Sequence, residues 1–138
     1  LIRSRGLGDV YKRQIEDIMN TIEKLTTTVI GKDPQKWRNF TSHYSRVFNT
    51  SQLDFDRQLN LIIIWLQGAN KLRQNLVSGF ERTGLHSRMT SFNEKFPNAN
   101  IYKIILCIEE VKSLARQNLY MPLILLNMLL DIQELIYE

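Results

Sequence analysis

Cysteine is nearly missing from this sequence: Cys107 stands alone among 138 residues. One thiol excludes an intrachain disulfide framework and a Cys-based zinc knuckle. Proline occurs three times and glycine six, too rarely for collagen-like or low-complexity character. Histidine is confined to His43 and His86, which are too distant in sequence to be metal ligands one helical turn apart, and HExxH is absent. Neither GxxxxGK nor GxGxxG occurs, so no glycine-rich phosphate loop is present. The most apolar window, Leu119–Leu130, contains Pro122 and Asn127 and falls short of the roughly 20 residues a membrane-spanning helix needs. What is left is an ordinary globular composition, 43% hydrophobic and 23% charged.

Apolar residues recur at helical spacing along most of the chain. Ile15, Ile18, Met19, Ile22, Leu25, Val29 and Ile30 form one stripe, closed by Gly31. Asp33-Pro34 reads as an N-cap with proline at the first helical position. Trp37, Phe40, Tyr44, Val47 and Phe48 form the second stripe, ended by Asn49-Thr50-Ser51. A third runs from Phe55 through Leu59, Ile62, Ile63, Leu66, Ala69, Leu72, Leu76 and Val77 to Phe80, with Gly68 and Gly79 as a kink or a close packing contact. Thr83-Gly84 marks a break, and Leu85, Met89, Phe92 and Phe96 predict a short helix. Pro97–Asn100 is a turn with a cap, followed by the stripe Ile101, Ile104, Ile105, Ile108, Val111, Ala115, Leu119. Beyond Pro122, Leu123–Leu130 is apolar on nearly all sides. That pattern belongs to a helix central in a core or to one that has lost its partners.

The spacing therefore predicts an all-α fold, an irregular or orthogonal bundle of about five to six helices, as a single domain or a fragment of a larger protein. Its expected core includes Trp37, Phe40, Tyr44, Ile62, Leu66, Leu76, Met89, Phe92, Ile104, Ile108 and Leu126.

The formal charge of +4 is unevenly placed. Residues 1–14 hold four basic residues against Asp9, while residues 15–138 hold 14 basic and 13 acidic. Residues 57–103 are the basic centre, with seven cations and two acids. Arg73, Arg82, Arg88, Lys95 and Lys103 lie off the apolar stripes and are expected to be exposed. Arg88 and Lys95 are seven apart, hence on one helix face. Exposed cations of this kind can neutralise phosphates without reading sequence, so these five are the candidate nucleic-acid contacts. The alternative is a solvated face balancing the acidic ends.

The remaining chemistry is expected to be structural. Cys107 sits in an apolar run, where a thiol is inert. Asp54 and Asp56 open a helix, where they favour its dipole. Glu109 and Glu110 are adjacent and point apart. Asn39-Phe40-Thr41 and Asn49-Thr50-Ser51 match the glycosylation sequon, but no secretory signal is visible, and they read as chance matches. No catalytic residue, cofactor or metal ligand is expected. The expected compartment is intracellular, nuclear or cytoplasmic.

Two segments resemble known sequences. Residues 1–14 lack a helical or strand period, and Asp9-Val10-Tyr11-Lys12-Arg13-Gln14 resembles one reading frame of a transposon-end sequencing adapter. The stretch is set apart as a non-native leader, leaving residues 15–138 to build the fold. Arg82–Glu110 resembles a segment that follows the catalytic core of Mutator-like (MULE) transposases and their domesticated relatives. Arg82-Thr83 matches its opening, Gly84–Met89 its middle, and Asn100–Ile105 its turn and second helix. The double Asn expected after Thr83 is absent, and Asn98-Ala99 replaces a His-Pro pair. The resemblance implies that the family's acidic RNase H-like core lies upstream. This piece would then be a non-catalytic helical accessory region that helps hold DNA or a partner subunit. Its rival is a protein–protein interaction scaffold with no nucleic-acid role, and a third option is an enzyme fragment whose catalytic acids lie elsewhere.

Overall fold

The computed structural model describes residues 2–31, 33–117 and 119–137, with side chains from residue 8 onward. Helices α1 (Ile2–Ile30), α2 (Pro34–Thr50) and α3 (Gln52–Arg73) are followed by α4 (Gly84–Lys95) and α5 (Ile101–Leu114). A 3-10 turn, Ala115–Gln117, then leads to α6 (Met121–Ile136). No strand occurs among the described residues, and the all-α class agrees with the spacing.

Most boundaries follow from local chemistry. Asp33 accepts from the Gln35 N–H at 2.9 Å, with Pro34 at the first position, where its missing N–H leaves no helical bond unmade. Ser51 ends α2 and caps α3, its Oγ accepting from the Asp54 N–H at 3.1 Å. Thr83 and Asn100 cap α4 and α5 in the same way, accepting from Leu85 and Lys103. Each cap satisfies one of the four N–H groups that a helix start leaves without partners.

The third helix is shorter than its stripe implies. It stops at Arg73, and Asn75 adopts a left-handed φ of 58°. Leu76 and Val77 consequently face solvent, 54% and 74% exposed, so Leu76 is not a core residue. The turn that follows is held by Glu81, whose carboxylate accepts from the Ser78 and Gly79 N–H groups and from the Ser78 hydroxyl. The backbone N–H of Glu81 itself, together with these hydrogen bonds from Ser78 and Gly79, keeps the Glu81 pKa below the usual carboxylate range. Gly79, at φ +93°, supplies a conformation that L-residues avoid. The fifth stripe also ends early: α5 closes at Leu114, and Leu119 is exposed.

Helix α3 is the centre of the bundle, packed by α1, α2, α4 and α5, while α6 packs on α5, α2 and α1. Phe55, Leu59, Ile62 and Trp65 of α3 meet Ile104 and Ile108 of α5, Met89 of α4, and Leu125 and Leu129 of α6 in one cluster. Gly68 is a close packing contact: a Cβ there would stand 2.7 Å from the Met89 methyl carbon. Helix α1 extends back to Ile2, so the missing apolar period of residues 1–14 does not prevent a helix. Residues 8–14 are exposed throughout, and packing starts at Ile15.

Among the described residues no helix is long and apolar enough to cross a membrane. Helix α6 departs from expectation in another way. It buries Met121, Leu125, Met128, Leu129, Ile132 and Ile136, whereas Leu126 lies on the outer face. At 100° per residue, Leu125 and Leu126 point in well-separated directions, and the bundle covers only one of them.

Candidate functional site

Arg73, expected to be an exposed cation, is turned inward. Its guanidinium donates to Asn93 Oδ1 at 2.7 Å, to the Ala99 carbonyl at 2.7 Å, to the Pro97 carbonyl at 3.3 Å and to the Phe96 carbonyl. Asn93 in turn donates to the Ala69 carbonyl at 3.0 Å. The Arg73 side chain thus satisfies carbonyls at and beyond the end of α4, where a positive charge also complements the helix dipole. Partial burial lowers its pKa. A guanidinium engaged in four hydrogen bonds is not available to a phosphate, and Arg73 leaves the candidate set.

The other four cations are exposed but dispersed. Arg88 and Lys95 share a furrow of about 260 Å³ between α1 and α4. There Arg88 is 3.7 Å from Glu23, and the Lys95 ammonium lies 5.6 Å from the Phe96 ring centroid. Lys103 lines a different furrow, between α5 and α6, beside the acids Glu110, Asp131 and Glu134. Arg82 belongs to the turn before α4. The structure therefore joins Arg88 with Lys95 and places Lys103 elsewhere.

A second group of cations escaped the charge count. Lys24 of α1 and Lys36 and Arg46 of α2 line a furrow of about 620 Å³ with His43 and Asn39. Among the described residues no salt bridge reaches these three cations. Burial lowers the His43 pKa, and the charges of Lys24 and Arg46 lower it further. The local net charge of residues 15–56 is −1, which conceals a grouping made by two packed helices.

The paired carboxylates are occupied structurally. Asp54 accepts from Arg57, which also lies 3.6 Å from Asp17 on α1. Lys112 of α5 donates to Asn60 at 2.6 Å and lies 3.9 Å from Asp56 and 3.6 Å from Glu109. Among the described residues no group of three His, Cys, Asp or Glu is arranged to hold a metal ion. Cys107 is half-buried, and burial pushes its thiol up to about 11, with Asp131 and Glu110 adding to the effect. Such a thiol is a poor nucleophile near neutral pH. His86, expected to be exposed, is half-buried, and its Nδ1 has no partner among the described residues.

A further concavity is mostly apolar. A groove of about 720 Å³ runs between α2 and α6, lined by Pro34, Trp37 and Arg38 on one side and Pro122, Leu123 and Leu126 on the other. The Trp37 indole is half-buried rather than fully enclosed, and its N–H donates to the Gly31 carbonyl at 3.3 Å, which fixes one wall. Gln133, at the far end, donates to the Val29 carbonyl at 3.2 Å. Leu123, Leu126 and Leu130 are 54%, 37% and 48% exposed. The sequence signal for this face is the all-round apolarity of Leu123–Leu130.

No family model, curated protein or solved structure matches the chain in comparison.

Proposed function

We propose that this chain is a non-catalytic helical interaction module whose contact surface is the outer face of α6 and the groove beside α2. The observation that carries this reading is the exposed row Leu123, Leu126 and Leu130 against a groove walled by Trp37 and Pro122. Single exposed leucines are ordinary. A contiguous apolar surface beside a preformed groove is what protein-contact sites present. Placing a photo-crosslinking amino acid at position 126 in cells that make the chain is expected to yield covalent protein adducts. The same group at Leu53, an exposed residue on α3, is expected to yield few. Equal labelling at both positions would remove the support for α6 as the contact surface.

A DNA-facing accessory role, as in a transposase-derived region, is the second reading. It is favoured by the gathering of Lys24, Lys36 and Arg46 in one furrow, more than by the five cations first considered. It predicts weak, salt-sensitive binding of duplex DNA by the chain. Lys36→Glu with Arg46→Glu should reduce that binding at least tenfold, and Arg88→Glu with Lys95→Glu should reduce it less. Absence of binding at low salt would eliminate this reading.

A further inference from the structure

We propose that the furrow between α1 and α2 is a binding site for a chain of linked phosphates, carried by an inorganic oligophosphate or by a nucleoside triphosphate. The inference is separate from the α6 contact surface, and it competes with the DNA reading for the same cations.

The furrow is built from two facing helix edges. On α2, Lys36, Asn39, His43 and Arg46 follow one another at steps of three, four and three, so they share one edge. On α1, Asn20, Lys24 and Thr27 follow at steps of four and three, and they line the same furrow of about 620 Å³. Cations therefore stand on both walls.

The hydrogen bonds already made leave donors rather than acceptors for a ligand. Asn39 Oδ1 accepts from Gln35 at 3.0 Å, and its NH2 group makes no hydrogen bond among the described residues. Arg46 donates through Nε to the Ser42 carbonyl at 3.4 Å, which leaves the two terminal nitrogens of its fork, the pair that suits a phosphate. His43 has its pKa lowered by burial and then by the charges of Lys24 and Arg46, so near neutral pH it is uncharged and offers one ring N–H. Acids of the same two helices are held elsewhere. Glu23, which also lines the furrow, lies 3.7 Å from Arg88 of α4, Asp17 lies 3.6 Å from Arg57 of α3, and Asp33 caps α2. A cleft lined by one sign of charge concentrates ligands of the other.

Shape selects the class of anion. Lys36 and Arg46 are ten residues apart on one helix, about 15 Å along its axis. One phosphate cannot meet both ends of such a row, whereas a chain of linked phosphates can. Packed helix axes lie about 8–10 Å apart, so the space between two facing edges is narrow. It admits a slender chain, while a duplex carries its phosphates on the outside of a wide cylinder.

Equilibrium dialysis of the full chain against orthophosphate, pyrophosphate and tripolyphosphate, at one ionic strength, tests this. Affinity is expected to rise with each added phosphate, by about tenfold or more from the first to the last. Lys24→Gln with Arg46→Gln should weaken tripolyphosphate by about tenfold or more, with the far-ultraviolet circular dichroism unchanged. Lys36→Gln, at the other end of the α2 edge, should act in the same direction. Lys71→Gln, at an exposed α3 position outside the furrow, should leave binding within about twofold. Adenosine triphosphate bound as tightly as tripolyphosphate assigns the site to the phosphate chain alone, and binding about tenfold tighter assigns it to a nucleotide. No tripolyphosphate bound at millimolar concentration, or equal losses from Lys71→Gln and from the furrow pair, overturns the proposal. Duplex DNA that binds the chain and is not displaced by tripolyphosphate overturns it as well and leaves the DNA reading standing.

Discussion

Replacing Arg73 with alanine is expected to lower the unfolding free energy by about 3 kcal/mol. Hydrogen bonds to charged groups contribute roughly 1.5–3 kcal/mol each, and a carbonyl left buried without a donor costs its desolvation. Arg73 donates to three main-chain carbonyls and to Asn93, so its loss strands several acceptors together. The result joins sequence to tertiary structure. A cation in the last turn of α3 holds the end of α4 and the Pro97–Asn100 turn, and that turn starts α5 at its Asn100 cap. Arg73→Lys should recover less than half of the loss, because one ammonium cannot reproduce the planar fork of donors. Urea unfolding monitored by circular dichroism measures both variants. A cost below about 1 kcal/mol for Arg73→Ala would mean that solvent satisfies these carbonyls equally well.

Trp65→Ala is expected to cost about 3–5 kcal/mol, the usual range for deleting a buried aromatic side chain. Trp65 is 2% exposed and packs edge-on against Phe92 with ring centroids 5.3 Å apart. Among the described residues its indole N–H has no hydrogen-bond partner. Trp65→Phe should therefore cost about 1.5 kcal/mol or less, since the smaller ring leaves a modest gap while an unsatisfied donor disappears. The difference between the two variants separates packing from polarity at the centre of α3. Equal and large losses would show that the indole shape, or a partner for its N–H, matters more than apolar filling.

The legible parts of this fold are those decided within a few residues. Asp33, Ser51 and Asn100 act as caps because each side chain reaches a backbone N–H two or three residues on, and Thr83, read only as a break, does the same for Leu85. The buried faces of α2 and α5 follow from apolar period alone, as Phe40, Tyr44, Ile104 and Ile108 confirm. The misread residues depend on where the chain turns. Leu76 and Val77 continue the period of α3, but the left-handed Asn75 has already ended the helix. Leu126 belongs to an apolar segment whose sequence does not say which side the bundle covers. Arg73 looks like a surface cation until its partners, 20–26 residues away, are brought beside it. Lys24, Lys36 and Arg46 converge only because α1 and α2 pack together. Exposure deduced from a stripe is a statement about one helix, and a site is assembled from several.

The central claim is that α6 has two apolar edges with different duties, one for the core and one for contact. Thermal unfolding of Leu125→Glu and Leu126→Glu, measured at a concentration where the unmodified chain is monomeric, tests it on neighbouring residues. Leu125 is fully buried and Leu126 is 37% exposed. Glutamate at position 125 places a carboxylate in the core and should prevent folding, at a cost above about 4 kcal/mol. Glutamate at position 126 should leave the midpoint of the monomer within about 2 °C of the unmodified chain, as a surface substitution does. Unfolding by Leu126→Glu as complete as that by Leu125→Glu would make the outer edge part of the core and contradict the account.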